Sequence, residues 1–269
     1  MPPSSESHLQ SPLLCQHDGP VCTLTLNRPQ ARNALSDELL AALQAGLDAA
    51  ASDPVVRVVV LAANGPAFSA GHDLKEMTAH WNDADRGDAY FRDLLSRCAR
   101  VMQTVVRLPK PVIAQVHGLA TAAGCQLVAS CDLAIAGESA RFATPGVNIG
   151  LFCSTPMVAL SRNVSRKHAM ELLLTGDAIP AARAADMGLI NRVVPDADLA
   201  QAVSTLVRHI ASKSAVSIRT GKEAFHRQIE LGLTDAYAFA SGVMTRNMLE
   251  AEAQEGIGAF LEKRSPRWE

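Results

Sequence analysis

The stretch "VVRVVVLAA" (55–63) constrains the fold of this chain more than any other. Its valines are stiff at χ1 and favour extended backbone. The run is nearly continuous rather than alternating, so both faces of the strand need cover, as for an interior strand of a parallel sheet. The flanking sequence supplies that cover. "VCTLTL" (21–26) reads as a first strand, closed by the turn signal "NRPQARN". Ser36 is a good N-cap for the helix "DELLAALQAGLDAAAS", with Asp37 and Glu38 in the first turn where the dipole favours negative charge. "NGPAFSAGHDLKEM" (64–77) is a loop of small residues leading into helix, and a longer helix over about 86–107 stops at "LPKP". "VIAQVHG" (112–118) and "DLAIAG" (132–137) are further strands, separated by an apolar helix. Strands alternating with helices imply right-handed crossovers and an α/β core.

After Arg141 the pattern turns to loops and helices, with one short strand, "INRVV" (190–194), ending at Pro195. From Asp198 onward the sequence reads as helix, with a long final stretch from Thr234. That stretch carries apolar residues on more than one face, so it packs on a partner. The expected organisation is a loose tail over 1–15, a core over 16–197 and a helical C-terminal region over 198–269.

Composition excludes several classes. With 269 residues, 48% hydrophobic and 19% charged, the chain has the make-up of an ordinary globular protein with a sizeable core. A net charge of −2 and the lack of a dense Lys/Arg run argue against nucleic-acid binding. No apolar stretch reaches membrane-spanning length. The opening "MPPSSESHLQSPLL" has neither a basic n-region nor an Arg-rich amphipathic pattern, so a cytoplasmic protein is expected. The six cysteines show no CxxC and no histidine at zinc spacing, and read as reduced core thiols. No metal site is expected.

A dinucleotide fingerprint, a Walker A lysine and a G-x-S-x-G elbow are all absent. Cys125 reads as a packed thiol rather than a nucleophile. What remains is a pair of similar devices, "FSAGHDLKE" and "TAAGCQL", in which a strand enters a Gly/Ala turn that opens a helix. Such turns let a ligand approach free N–H groups. Two of them converging on one carbonyl oxygen would form an oxyanion hole, in which each donor is worth about 3–4 kcal/mol. The alternative is that the small residues only permit close helix–strand packing.

"LNRPQARNAL" (26–35), "AFSAGHDLKEM" (67–77), "KPVIAQVHGLATAAGCQLVASCDLAIA" (110–136), "ARFATPGVNIGL" (140–151) and "TGDAIPAARAADMGLINRVVP" (175–195) resemble, in order, blocks of the crotonase superfamily, the acyl-CoA enzymes of the enoyl-CoA hydratase/isomerase type. The loop "TPGVNIGLFCSTP" is similar to that of one particular subgroup. The resemblance implies an α/β fold of the ClpP/crotonase kind. This is a spiral of β-β-α units with a C-terminal α-helical trimerisation region, giving homotrimers or hexamers. It implies an acyl-CoA substrate and no cofactor apart from the coenzyme A that the substrate carries. The family's oxyanion donors fall on the backbone N–H groups of His72 and Ala123, with Gly124 beside them. Ala70, Asp73, Leu74 and Lys75 fall near the CoA arm and adenine, and Gln30, Ala31 and Arg32 on the loop beside the nucleotide. Phe260 and Lys263 match a contact of the C-terminal helix, across subunits in some members.

The same resemblance exposes a departure. The two glutamates of the family's hydratases fall on Gln126 and Gly146. An amide takes no proton at neutral pH, and glycine has no side chain. Hydratase activity is therefore doubtful, while reactions that need the hole but not the acids stay open. Decarboxylation of a malonyl- or methylmalonyl-type thioester is one, because loss of CO₂ generates the enolate directly. Thioester hydrolysis is another, and a non-catalytic acyl-CoA-binding subunit is the rival. Cys153 falls near the tyrosine of the family's decarboxylase, where it shapes the pocket or, less in keeping with its surroundings, attacks. Asp73 reads as a helix cap, and Asp132 as a partner for nearby backbone.

Overall fold

The computed structural model describes residues 11–268. A six-stranded sheet is built from β1 (Leu13–Asp18), β2 (Val21–Leu26), β3 (Val58–Ala63), β5 (Val112–Val116), β7 (Leu133–Gly137) and β10 (Arg192–Val194), in the order β1-β2-β3-β5-β7-β10. β1 is antiparallel to β2, and every later pairing is parallel. A second sheet joins the short strands β4 (Ala67–Ser69), β6 (Leu119–Thr121), β8 (Arg141–Ala143) and β9 (Ile179–Pro180). The long strands β3, β5 and β7 are each followed by a short strand of the second sheet, which is the expected β-β-α spiral.

The helices are α1 (Asp37–Ser52), α2 (Leu74–Ala79), α3 (Asp88–Arg107), α4 (Ala123–Ser130), α5 (Pro156–Asn163), α6 (Arg166–Thr175), α7 (Ala181–Asp186), α8 (Leu199–Ala211), α9 (Ala215–Gln228), α10 (Leu233–Met248) and α11 (Ala251–Leu261). The valine run behaves as its sequence requires. Val59 and Leu61 join the main core with α1, α3 and α4, while Val58, Val60 and Ala62 pack on the other face with Leu199, Val203 and Val207 of α8. α8 thus lies past residue 198 yet closes the second face of the sheet.

Three expectations are corrected. Leu13–Asp18 is a strand, so the loose tail cannot extend to residue 15, and Val21–Leu26 is the second strand rather than the first. Only Leu13 of β1 is buried, where it pairs with Leu26, and the polar "CQHD" that follows hid the alternation. Residues 1–10 of the expected tail lie outside the described residues. The single helix expected from Thr234 is two, broken at Leu249 and Glu250, with α10 leaving every one of its side chains at least partly exposed.

One buried ion pair fastens the C-terminal helices to the sheet. Lys222 of α9 donates to Asp132 Oδ2 at 2.6 Å and to the carbonyls of Val105 and Lys110, with its side chain 8% exposed. Asp132 also accepts from Val112 N–H at 2.7 Å, the local bond expected of it.

Candidate active site

The two Gly/Ala turns meet. Pairing of β4 with β6 sets Ser69 against Ala120, so the turns that leave these strands emerge side by side. Gly71, at φ 91°, faces the second turn so closely that a Cβ there would lie 2.9 Å from Ala122 Cβ and 3.4 Å from Ala123 N. A Cβ on Gly124 would lie 2.3 Å from the Ser69 carbonyl oxygen. The smallness of Gly71 and Gly124 is therefore required by contact between the turns themselves.

Each turn is held by main-chain bonds that leave several N–H donors of the turn and the helix start spare, those of His72 and Ala123 among them. Leu35 N–H donates to Gly71 O at 2.7 Å, Asp73 N–H to Leu35 O at 3.3 Å and Ala70 N–H to Arg32 O at 3.0 Å. Ser69 Oγ donates to Asn33 O at 2.9 Å, and Asn33 Nδ2 reaches the carbonyls of Asn64 and Ala67. In the second turn Ala122 N–H donates to Ala143 O and Gln126 N–H to Ala122 O, both at 2.9 Å. Among the described residues neither the His72 N–H nor the Ala123 N–H has an acceptor. Ala122 reaches this arrangement at φ 49°, ψ −119°, a conformation that side chains other than glycine rarely adopt.

Unpartnered polar groups surround the turns. Both ring nitrogens of His72, Oε1 of Gln126 and Oγ1 of Thr144 are buried without a hydrogen-bond partner. Gln126 is only 5% exposed and lies one helical turn beyond Ala123. Thr144 follows Ala143, whose carbonyl holds the second turn, and precedes Pro145 and Gly146. Buried polar atoms are almost always paired, so this grouping needs a reason. Burial pushes the His72 imidazole pKa down, and the Leu35 carbonyl and the Asp37 charge offset this only in part. The ring is neutral at pH 7.

Among the described residues, the carboxylates that follow the first turn, Asp73 and Glu76, are both engaged. Asp73 caps α2 by accepting from Lys75 N–H at 3.1 Å and pairs with Arg28 at 3.0 Å. Glu76 accepts from Asp37 N–H at 2.9 Å, at the start of α1. Gly146 lies in the 3-10 turn Pro145–Ile149, and its N–H donates to Cys153 Sγ at 3.3 Å. A Cβ at 146 would lie 2.9 Å from that sulfur. Cys153 is 7% exposed, and burial raises its pKa while the Gly146 N–H offsets this in part, which suits a packed thiol that shapes the pocket. Cys125 is likewise buried, with its pKa pushed up to about 12.

Gln30, Ala31 and Arg32 form a short turn joined to the first device through the Ala70–Arg32 bond, so the structure brings it next to Ala70. Gln30, Arg32, Leu74 and Lys75 are exposed, open to a charged ligand. Phe260 and Lys263 are at the end of α11, which packs on α9 and α10, and Phe260 is 81% exposed. Among the described residues, no hydrogen bond or ion pair joins either to the turns. Sequence reasoning passed over Thr144 and the paired role of Asn33, since neither stands out by spacing.

The spiral of β-β-α units with two touching Gly/Ala turns defines a crotonase-fold protein. A profile of the enoyl-CoA hydratase/isomerase family matches residues 16–269. Enoyl-CoA hydratase domain-containing protein 3 of Xenopus laevis, named as mitochondrial, is 46% identical over 98% of this chain and 89% of its own length. The crystal structure of the human protein of that name superimposes with a TM-score of 0.91 at 44% identity, covering 96% of this chain and 100% of the other. A Mycobacterium smegmatis structure described as enoyl-CoA hydratase does so with a TM-score of 0.91 at 53% identity, over 96% and 98%. The chain belongs to the enoyl-CoA hydratase/isomerase family and is an enzyme of that family. The subgroup that its "TPGVNIGLFCSTP" loop resembles is that of domain-containing protein 3. The cytoplasmic location expected from the first residues is overturned, because the frog, rat and human relatives are all named as mitochondrial. An address signal is separate from the folded domain, and composition does not report it.

Proposed function

We propose that this chain binds an acyl-CoA thioester and polarises its carbonyl with the N–H groups of His72 and Ala123. In this reading the thioester oxygen supplies the acceptor that both donors lack, and negative charge on that oxygen is stabilised as an enolate forms. The observation that carries the reading is the combination of two spare main-chain donors on touching turns with the carboxylates that follow the first turn, Asp73 and Glu76, both engaged. Gln126 and Gly146 take the positions of the hydratase glutamates, and a water there has no base to activate it.

Chemistry that leaves by itself suits such a site. In decarboxylation of a malonyl- or methylmalonyl-type thioester, the Cα–carboxylate bond breaks, CO₂ departs and the electron pair moves onto the thioester oxygen. A solvent proton then returns to Cα. The two N–H groups act on the anion, where they are worth most. Buried neutral groups such as Gln126 and His72 suit a carboxylate that must shed its hydration before losing CO₂. The exposed apolar side chains of α10 and of the break that follows it, among them Leu233, Tyr237 and Leu249, support assembly into trimers or hexamers.

The test is turnover of crotonyl-, malonyl- and methylmalonyl-CoA by the purified protein, with products identified by mass spectrometry. Decarboxylation with little or no hydration is expected. Hydration of crotonyl-CoA at ordinary hydratase rates would overturn the reading of Gln126 and Gly146. Tight thioester binding without turnover of any substrate would overturn the enolate chemistry.

A further inference from the structure

Away from that site, the described residues contain one close group of three metal-ligating side chains, on the β1–β2 hairpin. The register pairs His17 with Cys22 and Cys15 with Leu24, so Cys15, His17 and Cys22 share one face of the ribbon. That face is the outer continuation of the core face carrying Leu13, Leu24 and Leu26. Cys15 Sγ lies 3.6 Å from Cys22 Sγ and 3.5 Å from His17 Nε2. All three ligand atoms lie within 4.8 Å of one another.

We propose that Cys15, Cys22 and His17 form a three-ligand site for a zinc ion, open to solvent at its fourth position. With Zn–S of about 2.3 Å and Zn–N of about 2.0 Å, tetrahedral geometry needs S···S near ~3.8 Å and S···N near ~3.6 Å. The Cys15–Cys22 and Cys15–His17 separations already match, and the Cys22–His17 pair lies within 4.8 Å. A carboxylate also stands behind the imidazole, at ion-pair rather than hydrogen-bond distance. The ring Nδ1 faces Asp53 Oδ2 at 4.0 Å, and Asp53 is itself fixed through Oδ1, which accepts from Val55 N–H at 2.8 Å. A carboxylate behind the non-ligating ring nitrogen is the arrangement that sets the tautomer of a metal-bound histidine.

Cys15 and His17 are exposed and Cys22 is buried, which provides an entry path on one side and a shielded ligand on the other. Two thiol protons leave to solvent on binding, so zinc, two thiolates and a neutral imidazole carry no net charge. Neutrality matters because Lys110 lies close by, donating to the carbonyls of Ala50 and Asp53. The bound ion would tie the hairpin to the turn after α1.

The experiment is titration of the reduced full-length protein with Co²⁺ as a spectroscopic probe, then displacement by Zn²⁺. One equivalent of Co²⁺ is expected to give thiolate-to-cobalt charge transfer and the strong visible bands of a tetrahedral ion, both abolished by one equivalent of Zn²⁺. Cys15→Ser and His17→Gln alter exposed side chains, and each is expected to weaken Co²⁺ binding at least tenfold with an unchanged far-ultraviolet spectrum. Asp53→Asn should weaken it about tenfold. Absence of charge transfer would overturn the proposal, as would bands unchanged in both ligand variants. Formation of a Cys15–Cys22 disulfide under mild oxidation, equally fast with and without Zn²⁺, would also overturn it, because the pair would then be a redox couple.

Discussion

Cys153 Sγ occupies the space in which a side chain at Gly146 would begin: it accepts the Gly146 N–H at 3.3 Å and would stand 2.9 Å from a Cβ at that position. A side chain at residue 146, the position proposed for the second acid, would therefore have to displace Cys153. Gly146→Glu alone is expected to lower stability by about 1–3 kcal/mol through overpacking, read from urea midpoints. Gln126→Glu with Gly146→Glu and Cys153→Ala should recover part of that loss, the contacts with Leu151 O and Cys153 N remaining, and raise hydration of crotonyl-CoA above the parent. A folded triple variant that binds thioester and gains no hydratase activity would refute the assignment of these positions.

The contact between Gly124 and Ser69 gives a stability test of the paired turns. A Cβ placed 2.3 Å from the Ser69 carbonyl cannot be accommodated without moving main chain. Gly124→Ala should cost about 3 kcal/mol or more. Ala122→Gly is the opposite case. Its strained dihedrals store on the order of 1–3 kcal/mol, which glycine releases while adding freedom to the unfolded chain. Its melting temperature should not fall; a drop of several degrees would show that Ala122 is not strained.

Burial of His72 predicts a pH dependence with a definite sign. Its folded pKa lies below the unfolded value of about 6.5, so the unfolded chain takes up the proton first. Stability from this group is full above pH ~6.5 and declines as pH falls from there toward the folded pKa. The urea midpoint of wild type should therefore fall between pH 7.5 and 5.5 by more than that of His72→Phe. Equal falls in the two proteins would contradict the assignment.

Lys222 and Asp132 predict how the C-terminal helices are secured. Lys222→Met leaves Asp132 without its principal charge partner and two carbonyls without a donor. The expected cost is about 3 kcal/mol, with faster amide exchange concentrated in α9. Uniform exchange rates would mean that the pair does not fasten this helix.

The apolar side chains of α10, of the break at Leu249 and of α11 predict assembly. Light scattering should give the mass of a trimer or hexamer, and Leu233→Asp with Leu249→Asp should shift it toward monomer. A monomeric parent protein would remove this part of the proposal.

Legibility in the sequence followed element length. The valine run of β3 and the strands β2, β5 and β7 announce themselves, because five or six residues of one chemistry suffice to define a strand. β4, β6, β8 and β9 have two or three residues each, too few to carry a period, so the whole second sheet went unseen. β1 was hidden by its polar half. At the site, the two turns were legible as Gly/Ala devices, yet part of their smallness comes from Ser69 O and Ala122 Cβ, contacts that only topology creates. The closeness of Cys15 and Cys22 to His17 is a cross-strand register effect and leaves no trace in linear spacing.

The central claim is tested most directly by a crystal structure with an unreactive acyl-CoA thioester bound. The thioester oxygen is predicted to lie about 2.7–3.1 Å from both the His72 and Ala123 nitrogens, with Gln126 facing the acyl carbons. A thioester oxygen bound elsewhere, with those two N–H groups facing solvent, would contradict the account.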